Sequence, residues 1–227
     1  MSRLIVFDID GTLTKTNAID EKCFTRTVKQ LATTRKFKFS FNEKWHFTDS
    51  YIAFQLAMAQ NNDSFSEQEF KRQFLINLRL EAESTKFEAA EGAQSLLKEL
   101  KKNEIPYALA TGCWRKSAEI KLRAAGFPLP KVPMATSDKY FTRDEIVTQA
   151  IVASQRHYKK EFTDVVYVGD GYWDLVTCKK LNLRFVGVDP EKNLKKALLL
   201  KDYLALSKYP DLTSFLQLVE TARVPEI

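Results

Sequence analysis

Six residues at three separate places in this chain have the types and spacing for metal or phosphate chemistry. Asp8 and Asp10 stand two positions apart at the end of the apolar run RLIVF and are followed at once by Gly11. Paired carboxylates offer hard oxygen ligands to a cation such as magnesium, which keeps several waters and binds substrate phosphate besides. On a continuing strand the two would alternate faces, but Gly11 and Thr12 turn the chain and can bring both toward one space. Thr111 and Gly112 close a second apolar run, PYALA. They supply a hydroxyl donor and a backbone open enough for amides to approach an anion, ahead of a helix expected near Trp114 whose positive end favours that anion. Asp170 and Asp174 lie four apart in GDGYWD, after the run DVVYVG. Any one of these signals has a plain alternative, because aspartate and glycine end strands and aspartate caps helices. Their conjunction at three strand ends is what points to a site.

Such residues need a scaffold that brings distant strand ends together. RLIVF, PYALA (106–110), KVPMAT (131–136), DVVYVG (164–169) and RFVGV (184–188) are short apolar runs of the kind buried on both faces of a sheet. Between them EGAQSLLKELKKN, RKSAEIKLRAAG and RDEIVTQAIVASQRHY repeat apolar residues at helical period. Strands alternating with helices predict an α/β fold, a Rossmann-like, mostly parallel sheet flanked by helices, with its chemistry at the carboxyl ends of the strands.

The stretch from Lys15 to Ala89 breaks the alternation. It is dense in aromatic residues, among them Phe37, Phe39, Phe41, Trp45, Phe47, Tyr51 and Phe54, and in EQEFKRQFLINLRLEAE it sets Phe70, Phe74, Leu75 and Leu78 on one helical face. It is too long for a loop, so the sequence predicts an inserted all-helical domain over 15–89, with the catalytic core formed by 1–14 and 90–227.

DIDGT, ATG and VGDGYWD, in this order and at these distances, resemble the first, second and fourth motifs of the haloacid dehalogenase-like hydrolase superfamily, most of whose members are magnesium-dependent phosphotransferases. The resemblance covers about residues 4 to 188, and the helical insertion falls where many members carry a cap. It implies that Asp8 is the nucleophile that takes the phosphoryl group. It implies that Asp10 is the general acid that protonates the leaving alcohol and then the base that activates water. Magnesium would be held by the Asp8 carboxylate, the Asp10 backbone carbonyl and Asp170, with Asp174 in or just behind that set. Members that dehalogenate lack a carboxylate at the place of Asp10 and ion-pumping members have threonine there, so the resemblance implies a phosphatase or a phosphomutase. The third family motif is a lysine, and here the chain departs: Arg143 stands 27 residues before Asp170, with Lys139 as the alternative. Arginine can hold phosphate and orient Asp8 with a permanent charge and a bidentate fork. With Thr111 and Gly112 it makes the expected phosphate site.

A cap would close over the site, with hinges at Lys15 to Asn17 and Phe87 to Glu91, and supply the residues that choose the substrate. Trp45 and His46, in WHFTDS, and Trp114 and Arg115, just after the TG turn, are the candidate substrate contacts. Each also has a packing or solvated alternative. Sugar phosphates, phosphoglycolate and nucleoside monophosphates all fit as the small phosphorylated metabolite, and nothing in the sequence specifies the oligomeric state. A non-catalytic module of the same fold would be expected to lack a carboxylate at position 8, 10 or 170, and all three are present.

The bulk properties exclude other classes. At 227 residues the chain can bury a sizeable core. It has no apolar run near the roughly 20 residues that span a bilayer and no apolar leader, so it reads as a cytoplasmic protein without a membrane partner. Three cysteines at wide spacings, Cys23, Cys113 and Cys178, suggest neither a disulfide framework nor a zinc site. The net charge of +6 is spread over KFKF, LKELKK, HYKK, TCKK and NLKK. That pattern suits solvated helix faces and attraction of a small anion better than a nucleic-acid partner.

Overall fold

The computed structural model describes residues 2–31, 48–60, 66–129, 131–193, 200 and 202–226. Its centre is a six-stranded sheet of order β3-β2-β1-β4-β5-β6 in which every pairing is parallel. The strands are β1 (Arg3–Phe7), β2 (Tyr107–Ala110), β3 (Met134–Ala135), β4 (Asp164–Gly169), β5 (Arg184–Val188) and β6 (Leu204–Leu206). The run KVPMAT shrinks to the two-residue β3, an edge strand that pairs on one side with β2. The C-terminal strand β6 and the helix after it were not anticipated.

Side chains alternate across the sheet as a period of two requires. Ile5 and Phe7 enter one core with Leu96 and Leu100 of α4 (Ala93–Lys102), Leu122 of α5 (Arg115–Ala124) and Phe215 of α8 (Leu212–Thr221). Leu4 and Val6 enter the other with Ile146 and Ala150 of α6 (Arg143–Tyr158) and Leu175 of α7 (Tyr172–Leu181). Both faces are covered, which is why the strand sequences read as continuous apolar runs.

Three further helices, α1 (Asn17–Leu31), α2 (Asp49–Gln60) and α3 (Glu67–Ser84), lie in the stretch between β1 and α4. Phe24, Phe70, Phe74 and Leu78 carry the first core outward among them. Trp114 closes the junction: fully buried, it meets the rings of Phe24 at 6.2 Å, Phe74 at 5.6 Å and Phe70 at 6.5 Å. The two connecting segments are joined to one another, since the Lys15 amide donates to Glu88 O at 2.8 Å and the Ala90 amide to Leu13 O at 2.8 Å. Among the described residues no helix is long and apolar enough to cross a membrane.

Register decides where the chemistry can sit. Phe7 pairs with Leu109 on one side and Val168 on the other, so the carboxyl ends of β1, β2 and β4 are level. The chain builds outward from β1 through β2 to β3, then crosses back to β4 and continues to β6. Asp8, Thr111 and Asp170 follow the strand ends that flank this change of direction, the crevice where open parallel sheets bind ligands.

Candidate active site

Asp8, Asp170 and Asp174 converge: all are buried, and a carboxylate oxygen from each lies within 4.8 Å of the others. Asp8 leaves the end of β1, Asp170 leaves β4, and Asp174 stands in the first turn of α7. The turn after β1 is tight enough to need glycine. Gly11 has φ +70°, and a Cβ there would lie 1.9 Å from Asp170 Oδ2. Gly169 serves the other strand end in the same way, because a Cβ there would meet Asp174 Oδ2 at 2.4 Å.

Arg143 reaches this group from the first residue of α6. Its Nη1 donates to Asp8 Oδ1 at 3.1 Å and to Asp174 Oδ1 at 3.5 Å, and its guanidinium lies 5.7 Å from the Trp173 ring. The helix start is fixed by a reciprocal cap between Thr142 and Glu145. Lys139, the alternative for this position, is exposed. Asp174 is held by the Gly171 amide at 3.1 Å and the Tyr167 hydroxyl at 3.2 Å. Asn17, opening α1, donates through Nδ2 to Asp170 Oδ2 at 3.0 Å and to Glu191 Oε2 at 2.7 Å.

Burial pushes the Asp8 carboxyl well above its ordinary range; Arg143 opposes the shift, and Asp174 and Asp170 add to it. Burial likewise raises Asp174 to about 6, against the pull of Arg143. Three buried carboxylates, two of them in contact with one guanidinium, therefore form a donor set that suits a hard divalent cation.

Asp10 faces elsewhere. Its Oδ1 accepts the Thr16 hydroxyl at 2.5 Å, and its Oδ2 accepts the Cys113 thiol at 2.6 Å and the Lys121 ammonium at 3.0 Å. Its carboxylate groups with Asp20 and Cys113 rather than with the three aspartates. Burial alone would raise its pKa, but the Lys121 charge and the bonds from Cys113 and Thr16 outweigh burial and hold it below the usual range. The Cys113 thiol is driven well up by burial and by the charge of Asp10.

Thr111 and Gly112 lie buried beyond the end of β2. Thr111 Oγ1 accepts the Cys113 amide at 3.2 Å, and Gly112 O accepts the Asp49 amide at 2.8 Å. The carboxylate of Asp49 takes the Trp114 amide at 2.9 Å, so the start of α2 clamps this loop from both directions.

Trp114 and Arg115, two of the expected substrate contacts, are engaged within the protein. Trp114 belongs to the core, with its indole N–H given to Ser50 Oγ at 2.7 Å. Arg115 turns its guanidinium to the Met134 carbonyl and its amide to Asp138 Oδ2 at 2.7 Å. The apolar faces of α1 and α3 claim the tryptophan, and the open sheet edge at β3 offers the arginine a free carbonyl. Trp45 and His46 lie outside the described residues.

Sequence reasoning overlooked Asp20, Lys121, Tyr167 and Glu191, and it saw Thr16 and Asn17 only as part of a hinge and Asp49 only as part of WHFTDS. For Lys121 a signal existed, since it stands three after Ala118 and four before Ala125, on the apolar stripe of α5. The others become neighbours only through the fold.

Residues 5–188 match the family model of haloacid dehalogenase-like hydrolase, and the chain belongs to that family. Solved structures of the same architecture include a hydrolase from Pseudomonas syringae, with TM-score 0.71 and 17% identity over 98% of this chain and 100% of that one. CbbY from Rhodobacter sphaeroides in complex with phosphate aligns with TM-score 0.65 and 21% identity over 83% of this chain and 86% of that one. A haloacid dehalogenase-type hydrolase from Entamoeba histolytica aligns with TM-score 0.70 and 14% identity over 96% and 100%. No curated protein matches the chain.

Proposed function

We propose that this protein is a magnesium-dependent phosphatase that hydrolyses a small phosphorylated metabolite through a phosphoryl-aspartate on Asp8. The observation that carries the reading is the placement of Asp8, buried at a strand end beside Arg143 and facing Asp170 and Asp174. The structural likeness to a protein in complex with phosphate supports the ligand class.

In this reading the Thr111–Gly112 loop and Arg143 bind the phosphate. The negative charge of the bound phosphate raises the pKa of the Asp10 carboxyl so that it takes up a proton from solvent. An Asp8 oxygen then attacks phosphorus, the bond to the leaving oxygen breaks, and Asp10 gives that oxygen its proton. Asp10 then takes a proton from water as the water attacks the phosphoryl group, which leaves Asp8 free and releases inorganic phosphate. Asp8, Asp170, Asp174 and the Asp10 carbonyl would hold the metal, whose chemistry is to neutralise charge between the anionic substrate and the anionic nucleophile. Residues 15–89 act as the cap in this scheme, and the paired segments 13–15 and 88–90 serve as its hinge. Three unpaired thiols, Cys23, Cys113 and Cys178, support a reducing, cytoplasmic setting.

The test is phosphate release from a panel of small phosphate esters with magnesium. The native protein is expected to turn over at least one ester, and activity should vanish in Asp8→Asn and with chelator. No release from any ester by the native protein sinks the reading, and transfer of phosphoryl to a sugar phosphate without net release would identify a mutase.

A further inference from the structure

Lys121 has no exposed surface, although it stands on a helix whose sequence, RKSAEIKLRA, is rich in solvated charge. Its ammonium lies 3.0 Å from Asp10 Oδ2 and 3.2 Å from Cys113 Sγ, and it forms an ion pair with Asp20 Oδ1. Three partners surround a group that has three protons to give. Taking an ammonium out of water is costly, and an apolar side chain at this place on the stripe would avoid that cost. A purely architectural reading is available, because the lysine ties α1 through Asp20 to α5 and to the loop after β2.

Which atom the ammonium holds argues for more. Both Asp10 oxygens are engaged, Oδ1 by Thr16 and Oδ2 by Lys121 and Cys113. Rotating the carboxylate would break a charge-assisted bond, the strongest contact it makes. In the reaction above Asp10 must meet first a leaving oxygen and then a water, and misplacement by about 1 Å can cost on the order of a hundredfold in rate.

We propose that Lys121, anchored by Asp20, is a positioning residue for Asp10, fixing that carboxyl for proton transfer to the leaving group. The inference rests on the phosphatase reading. Lys121 itself touches neither substrate nor reacting atoms; it acts through Asp10.

The experiment compares native protein with Lys121→Met/Asp20→Asn across phosphate esters graded by leaving group, from p-nitrophenyl phosphate to an alkyl phosphate. The double change removes one positive and one negative charge from the same buried place, so the net charge around Asp10 is unchanged while its ammonium partner is lost. p-Nitrophenolate departs with little need of a proton, whereas an alkoxide needs one. The expected result is a loss in kcat/KM greater for the alkyl than for the aryl ester, by on the order of ten- to a hundredfold, within the range of general acid catalysis. A loss equal for all esters, or no loss, overturns the proposal and leaves Lys121 architectural, with the phosphatase reading intact. If the native protein hydrolyses no ester, the phosphatase reading falls and this proposal falls with it. Should the double variant not fold, Lys121→Gln, which keeps a donor without the charge, is read the same way.

Discussion

Asp174 carries the clearest pH signature among the site residues. Its pKa stands near 6 in the fold against 3.8 for the free side chain, so folding favours its protonated form. The stability this gives is complete below about pH 4 and is lost as pH rises through 6, on the order of 3 kcal/mol for a shift of this size. Thermal melts with chelator should therefore show Asp174→Asn losing less stability than the native protein between pH 4 and 7. Magnesium competes with those protons, so it should raise the melting temperature of the native protein more at pH 7.5 than at pH 5. Equal shifts at both pH values would remove the three aspartates as a cation site. Arg143 donates to Asp8 at 3.1 Å, and Arg143→Ala should lower kcat by roughly a hundredfold, as loss of a charge-stabilising donor does elsewhere. A steady-state assay in which that variant keeps the native rate would exclude Arg143 from phosphate binding.

At the scale of elements, two helix starts aim the site. The Thr142–Glu145 cap fixes the first turn of α6, and Arg143 is its first residue. Thr142→Ala should cost about 1 kcal/mol in a denaturant titration, and it should also weaken phosphate binding, because the arginine loses its fixed root. The start of α2 clamps the loop after β2 through Asp49, while Trp114 fills the space between that loop and the aromatic residues of α1 and α3. Trp114→Ala should destabilise the protein by about 3–5 kcal/mol, as large deletions in a packed core do. A loss under 1 kcal/mol would mean that the tryptophan does not bear the junction.

At the scale of the whole molecule, hydrogen bonds join the sheet region to the inserted helices, among them Thr48 to the Phe141 carbonyl and Ser50 to the Ser137 carbonyl. The amides of Asp49 and Trp114 bridge the two regions, whereas those of β1 lie in the centre of the sheet. Regions that open for substrate lie at the low end of local stability. Native-state hydrogen exchange should therefore find the Asp49 and Trp114 amides opening at lower free energy than those of Val6 and Phe7, and slowing when phosphate and magnesium are added. Exchange of all four only by global unfolding would rule out the insertion as a moving cap.

The sequence by itself determined the parallel α/β core, because strands buried on both faces are written as unbroken apolar runs and the helices between them at a period near 3.6. It also singled out Asp8, Asp170, Asp174 and Arg143, which the fold brings together, since each stands at the end of such a run or the start of such a helix. β6 and α8 are hard to read from the sequence although Asp211 caps that helix, because the three-residue β6 is written only as the short run LAL. The surroundings of Asp10 were decided by tertiary structure alone. Thr16, Asp20, Cys113 and Lys121 come from a connecting segment, a helix start, a loop and the middle of another helix. Charge and hydrogen bonding act through space, and only packing of α1 against α5 and the strand ends brings Thr16, Cys113 and Lys121 within 3.0 Å of one carboxylate and Asp20 within 4.8 Å of it. The same packing sets Trp114 in the core and Arg115 against the sheet edge, for local sequence shows which residue follows a turn but not which neighbouring surface it meets.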